Sequence, residues 1–367
     1  MHPTISDLIR EWNGEAVVSR FDEETDSWFF VAMHDATLGP PVGGCRMKRY
    51  PRPADGLLDA MRLAEGMTYK WAGVGFPFGG GKSVLALSRE LESAERPALL
   101  RRFGRLLRVL NGAFMTGVDL GTTPEDMAVI AEEAPYVMGV FPGRTRDPGP
   151  YTALGVFEGM RVAARHALGA EDLTGLSVVI QGLGDVGEPL ARQLAEAGAR
   201  LTLSDLNEEK ARALAAELGA ALVTPEAALE TECDILAPCA VGAVLGPASI
   251  PRLRCRVVAG SANNQLDSAS DAGLLHERGI LYAPDYIVNA GGAIAFGLMY
   301  RGVEEDAELR NAVCQIGGAL EKIFAESERD GESPATAARR RAERVLERAR
   351  TGSGAAATEA MGGSPAP

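Results

Sequence analysis

An apolar run, SVVIQ at 177–181, leads directly into Gly182-Leu183-Gly184-Asp185-Val186-Gly187, and the next apolar run ends on Asp205. This order of residues constrains the fold strongly, because it spells a parallel strand, a tight turn and a helix that together bind a dinucleotide. Gly182 permits the turn, Gly184 lets the main chain approach a pyrophosphate, and Gly187 lets the helix close on the strand. The helix N-terminus then offers N–H groups to phosphate. Leu183, Asp185 and Val186 fill the turn, and the charge of Asp185 is tolerable there only if its side chain points away. Asp205 stands 18 residues beyond Gly187. A carboxylate there accepts hydrogen bonds from ribose hydroxyls and repels a 2′-phosphate, so NAD is expected rather than NADP. The competing reading is a ligand-free glycine turn in which Asp205 caps the next helix.

The pattern around this turn alternates. Strands are expected at 177–181, 201–204, 233–237, 256–260 and 280–283, with helices at 186–197 and 207–218. Such alternation predicts a parallel sheet covered on both faces. Cys239 and Ala240, and the Gly260-Ser261-Ala262-Asn263-Asn264 loop, follow later strands, whose carboxyl ends face the ligand crevice. Upstream, a strand is expected at 27–35 and helices at 54–72, at 97–112 and from Thr123, which can cap its own helix. A further strand is expected at 83–87, after a glycine loop, and a helix from Thr152 to Leu168. The Pro- and Gly-rich stretch 142–150 marks a domain boundary. The fold class is α/β with two domains. An N-terminal α/β substrate and oligomerisation domain (1–148) precedes a doubly wound Rossmann NAD-binding domain (149–330), with a cleft between them. A C-terminal helix (331–350) and a small-residue, disordered tail (351–367) follow.

Charge narrows the function. With a net charge of −13 and a pI near 5.0, the chain repels nucleic acid and anionic lipid, so neither is an expected partner. The Arg-rich stretch 339–350 is interleaved with glutamate at helical spacing and reads as a solvated or subunit-facing helix. The five cysteines and four histidines show no metal-ligand spacing, so no metal is assigned, and free thiols in a reducing cytoplasm are expected. The first residues, MHPTISDLIREWNG, lack the form of a signal peptide, and no run of about 18 apolar residues predicts a membrane helix.

Three side chains suit catalysis. Lys70 closes an apolar helical stretch, Lys82 follows Phe78-Gly79-Gly80-Gly81, and Asp119 sits in TGVDLGTT. A partly buried lysine has a lowered pKa and exchanges protons near neutrality. A second, charged lysine pairs with a substrate carboxylate, and an aspartate moves a proton on a substrate nitrogen. Taken singly, Lys70 also fits a solvated helix end, Lys82 a surface lysine after a turn, and Asp119 a turn-forming acid. The residue types alone leave those alternatives open.

The segments MTYKWAGVGFPFGGGKSVL, TGVDLGTTPEDM, TALGV, CDILAPCAVGAVL, AGSANNQL and YAPDYIVNAGGAI resemble the amino acid dehydrogenases that act on leucine, valine and phenylalanine, relatives of glutamate dehydrogenase. The resemblance runs from about 28 to 350. It implies reversible oxidative deamination: an L-amino acid, NAD⁺ and water give a 2-oxo acid, ammonia and NADH. It assigns Lys70 to the substrate carboxylate, Lys82 to water activation and carbonyl polarisation, and Asp119 to the proton of the amine or imine. Gly43 and Gly44 would line the site with main chain. Asn264 would help hold the carboxylate, and Thr152 the nicotinamide amide. Val42, Met67, Gly117, Val118, Ala293 and Phe296 would form the side-chain pocket, and Gly117 leaves room for a large apolar or aromatic group. Members of the family assemble, so a homo-oligomer is expected. Two other readings compete: an idle NAD-binding relative, and a hydroxy-acid dehydrogenase, which needs a His/Arg site that the first domain does not offer.

Overall fold

The computed structural model describes residues 5–141, 144–240 and 242–352. The expected tail lies outside these residues apart from Thr351 and Gly352, as do Pro142 and Gly143 of the Pro- and Gly-rich stretch. The chain forms two compact units. Among the described residues, one holds those up to Asp147, Met299–Arg301 and those from Ala342; the other holds those from Pro148 to Leu298 and Gly302–Arg341.

The first unit begins with α1 (Ile5–Trp12) and an antiparallel pair, β1 (Ala16–Asp22) and β2 (Ser27–Asp35). Next come β3 (Pro41–Val42), β4 (Cys45–Arg49), α2 (Pro53–Val74) and β5 (Gly79–Leu87). β2 pairs antiparallel with β5, while β3 and β4 pair parallel with successive parts of β5, like one strand interrupted at Gly43 and Gly44. α3 (Glu95–Leu110), α4 (Pro124–Ala131) and a short ribbon of β6 (Val140–Phe141) and β7 (Arg144–Thr145) complete the unit's N-terminal part.

Strand alternation sorts the core into two layers. Phe29, Val31, Leu85 and Leu87 meet Leu99, Phe103, Leu107, Met127 and Ile130 of α3 and α4. Phe30, Ala32, Val84 and Ala86 meet Ala60, Met61 and Ala64 of α2. Asn111, with φ 47°, ends α3. Thr123 starts α4 with a capping box, in which its side chain accepts from the Asp126 amide and Asp126 answers to the Thr123 amide.

One sequence expectation is corrected here. The glycine run is not a loop before a strand at Ser83, because β5 already begins at Gly79 and is buried throughout. The cause is close approach on both faces, by α2 at Gly80 and by Phe114 at Gly81. A Cβ on Gly80 would collide with Thr68 and with the Ala64 carbonyl, and one on Gly81 would lie 2.8 Å from the Phe114 ring. Glycine is therefore what lets this strand pass between the helix and the Phe114 ring.

The second unit carries α5 (Gly149–Leu168), β8 (Ser177–Gln181), α6 (Gly187–Glu196), β9 (Arg200–Ser204), α7 (Glu208–Leu218), β10 (Ala221–Leu222) and α8 (Pro225–Ala228). β11 (Ile235–Pro238), β12 (Val257–Val258), α9 (Asp271–Glu277), β13 (Leu281–Tyr282), α10 (Asp285–Val288), α11 (Gly291–Tyr300), α12 (Asp306–Asp330) and α13 (Pro334–Arg350) follow, although the last residues of α11 and α13 fall in the first unit. The sheet order is β10-β9-β8-β11-β12-β13, with every pairing parallel. The chain winds outward from β8 in one direction and resumes at β11 in the other. The glycine turn leaves β8 at this reversal, where doubly wound sheets bind their ligands.

Candidate active site

In the first unit, β5 brings Lys82 to the layer that faces α2, and α2 carries Lys70. Their side chains are buried, at 4% and 8% exposure. Lys82 is therefore not a surface lysine after a turn, and Lys70 is not a solvated helix end. Lys82 Nζ is in direct contact with Asp119 Oδ2. Burial, and after it the charges of Arg46 and Lys70, push the Lys82 ammonium well below the ordinary lysine value of 10.5. The Asp59 carboxylate opposes that shift.

Asp119 is fixed by its turn. Its Oδ1 accepts from the Leu120 amide at 2.5 Å and from Arg46 Nε at 3.3 Å. Its own amide donates to Thr122 Oγ1 at 3.1 Å, and that hydroxyl donates to the Cys45 carbonyl at 2.8 Å. Of the two predicted glycines, Gly44 sits against this group and Gly43 against β5. A Cβ on Gly44 would lie 2.7 Å from Asp119 Cβ, and one on Gly43 would strike the Gly81 carbonyl and lie 3.3 Å from Met67 Cγ. Val42 is buried and accepts from the Trp71 indole at 3.2 Å. Gly117 is open by comparison, since a Cβ there would meet only Met138, at 3.6 Å. Val118 next to it is partly exposed. Sequence reasoning missed Arg46 and Asp59 as members of this cluster, and Met138 behind Gly117. Asp59 could have been suspected as an acid on the apolar face of α2.

In the second unit the glycines divide by role. Gly182 has φ 96°, and a Cβ on it would lie 2.7 Å from Ala240. A Cβ on Gly187 would run into the Gly182 carbonyl, so the helix closes on the turn as expected. Gly184 is exposed and a Cβ on it would meet nothing of the chain within 4 Å. Packing does not explain that glycine, whereas a close ligand does, and the turn fits a dinucleotide pyrophosphate on that ground. Asp185 is exposed, Val186 precedes α6, and Leu183 is buried. Asp205 Oδ2 accepts from the Leu183 amide at 2.6 Å and Oδ1 from the Asn207 amide at 2.8 Å, which ties the acid to the glycine turn.

Other predicted positions follow the later strands. The Cys239 amide donates to the Gln181 carbonyl at 2.7 Å, next to the turn. Asn263 Oδ1 accepts from Asn289 Nδ2 at 2.8 Å, and Asn264 is left-handed at φ 52°. Gln265 stiffens this loop by donating to the Gly260 and Ala262 carbonyls at 2.8 and 3.1 Å. Thr152 Oγ1 donates to the Pro148 carbonyl at 3.0 Å and accepts from the Gly292 amide at 3.2 Å. Ala293 is partly exposed on α11, and Phe296 is 5% exposed.

Known proteins resemble the chain along most of its length. Residues 27–136 match the Glu/Leu/Phe/Val dehydrogenase dimerisation domain, and residues 201–345 match the glutamate/leucine/phenylalanine/valine dehydrogenase domain. Leucine dehydrogenase of Geobacillus stearothermophilus is 42% identical over 335 residues, 91% of this chain and 90% of that protein. Phenylalanine dehydrogenase of Lysinibacillus sphaericus is 37% identical over 342 residues, 91% of this chain and 89% of that protein. The crystal structure of L-tryptophan dehydrogenase from Nostoc punctiforme is 36% identical, with a TM-score of 0.78, covering 95% of this chain and 100% of that one.

Proposed function

The chain belongs to the Glu/Leu/Phe/Val dehydrogenase family, and from that premise we propose that Lys82 and Asp119 carry the proton chemistry of an NAD-dependent oxidative deamination. It is an amino acid dehydrogenase acting on the CH–NH2 group, with a cofactor of the NAD(P) class. The substrate is an apolar L-amino acid of the leucine, valine or phenylalanine class, converted reversibly to the 2-oxo acid and ammonia. One observation carries the reading: a buried lysine of lowered pKa rests directly on a carboxylate, with a second buried lysine on the facing helix.

Hydride leaves Cα only when the amine is neutral, so a base must first take a proton. Asp119 would take it and return it to the departing nitrogen. Lys82, once neutral, activates water for attack on the iminium carbon and, once charged, polarises the carbonyl. Lys70 binds the substrate carboxylate as a charged partner. Gly43 and Gly44 line the site with main chain. Asn264 would help hold the carboxylate, and Thr152 the nicotinamide amide.

Bound NAD supplies the hydride acceptor. Gly182, Gly184 and Gly187 would hold its pyrophosphate, with Asp205 on the ribose hydroxyls, and that carboxylate favours NAD over NADP. The absent side chain at Gly117 supports a large apolar substrate group, aromatic included, while a methylene in such a pocket discriminates by only about 1–3 kcal/mol. The family description of residues 27–136 as a dimerisation domain supports a homo-oligomer. Five free cysteines suit a cytoplasmic, reducing setting.

The test is NADH formation at fixed NAD⁺ with L-leucine, L-valine, L-phenylalanine and L-tryptophan, compared by kcat/KM and repeated with NADP⁺. Lys82→Ala should lower kcat about 10²–10⁴-fold, the range for losing a positioned acid–base group. Deamination untouched by that substitution would refute the assignment.

A further inference from the structure

The Arg46 guanidinium spans two acids. Its Nε donates to Asp119 Oδ1 at 3.3 Å and its Nη1 to Asp59 Oδ2 at 3.0 Å. Asp59 is braced in turn, because Tyr50 Oη donates to the same oxygen at 2.6 Å, while the more exposed Arg62 reaches Oδ1 at 3.5 Å. The backbone leaves Arg46 little freedom. On one side β4 pairs with β5, with Arg46 opposite Val84. On the other side the amides of Cys45 and Met47 donate to the carbonyls of Gly117 and Leu120 at 2.7 and 2.9 Å. Arg46 is thus clamped between the strand that carries Lys82 and the segment that carries Asp119.

We propose that Arg46 is a positioning residue for the deamination: braced by Asp59 and Tyr50, it fixes the Asp119 carboxylate and supplies its permanent counter-cation, so that Lys82 need not be charged. The proposal rests on the roles given above to Lys82 and Asp119. The groups facing Lys82 are Lys70 and Asp59 from α2, Cys45 and Arg46 from β4, and Asp119 from its turn. Burial pushes the Cys45 thiol up to about 12, so it adds no charge. With Lys82 neutral, two cations (Lys70 and Arg46) face two carboxylates (Asp59 and Asp119). A proton on Lys82 adds a third cation among side chains that are 11% (Arg46), 10% (Asp119) and 4% (Lys82) exposed. Without the Arg46 charge, Lys82 itself becomes the balancing cation and keeps its proton to higher pH.

The experiment follows kcat and kcat/KM for NADH formation from L-leucine and L-phenylalanine against pH, in the wild type, Arg46→Met, Arg46→Lys, Asp59→Asn and Lys82→Ala. Arg46→Met should move the rising limb of kcat/KM upward by about one pH unit, as loss of a neighbouring charge does. Arg46→Lys keeps a cation but cannot span both acids, so the limb stays while kcat falls about tenfold through a loosened Asp119. Asp59→Asn removes an anion and should move the limb downward, and it carries the test if Arg46→Met does not fold. A limb unmoved in Arg46→Met, or moved in the same direction by Arg46→Met and Asp59→Asn, overturns the proposal. An active Lys82→Ala enzyme instead refutes the reading on which it rests.

Discussion

Gly44→Ala is the sharpest perturbation that the first unit offers. The φ of Gly44 lies outside the left-handed region, so alanine can take its backbone, and any effect must come from the added methyl. That methyl would lie 2.7 Å from Asp119 Cβ, 2.8 Å from the Val118 carbonyl and 3.0 Å from Asp119 Oδ2. Carbon atoms rest at about 3.5 Å or more, so roughly 0.8 Å must be found. Gly44 cannot supply it, because β4 is held by β5 on one side and by residues 117–120 on the other. The displacement therefore falls on Asp119 and on its contact with Lys82. A catalytic group misplaced by 1 Å costs on the order of 10²-fold in rate. We expect kcat to fall about 10- to 100-fold, or about 1.4–2.7 kcal/mol in activation free energy. Initial rates of NADH formation over a grid of amino acid and NAD⁺ concentrations measure this, with the KM for NAD⁺ unchanged. Gly66→Ala is the control. Its methyl would meet nothing within 4 Å in the interior of α2, so kcat should hold while stability rises by about 0.5–1 kcal/mol. Wild-type kcat in Gly44→Ala would refute the argument.

Two further outcomes are expected. Gly184→Ala should leave the melting temperature unchanged, because its methyl meets no atom of the chain, yet raise the KM for NAD⁺ about tenfold, on the order of one lost hydrogen bond; an unchanged KM would count against a pyrophosphate at that turn. Asp22→Ala should cost about 3 kcal/mol in urea unfolding, because it leaves the Arg102 guanidinium without the carboxylate that meets its Nε at 2.5 Å and its Nη2 at 2.8 Å; a loss under about 1 kcal/mol would show that Glu24 alone suffices as partner.

What the sequence made legible was local. The second unit could be read because a glycine turn between an apolar strand and a helix, answered by an acid after the next strand, is a short-range pattern, and buried parallel strands are apolar throughout. The edge strand β1 escaped because most of its residues face solvent, and β3 and β4 because they are short and flank glycines. The start of β5 at Gly79 was not legible, since glycine disfavours strands and the reason for it here is close tertiary approach, by Asp35, by Thr68 and by Phe114. Lys82 and Asp119 were legible through motif resemblance. Arg46 and Asp59 were not, because their significance lies in a bridge between two acids 60 positions apart, Asp59 and Asp119, which no spacing announces.

The return of the last helix to the first unit has a consequence for biosynthesis. Ala342 and Leu346 pack with Ala72, beside Leu38 and Tyr69, and Arg350 donates to Asp35 at 2.5 Å. On the ribosome, the stretch that supplies those partners is made only after the whole dinucleotide-binding unit. The earlier-translated unit must therefore wait with an apolar patch uncovered, and a nascent chain halted near Arg341 would present that patch to chaperones.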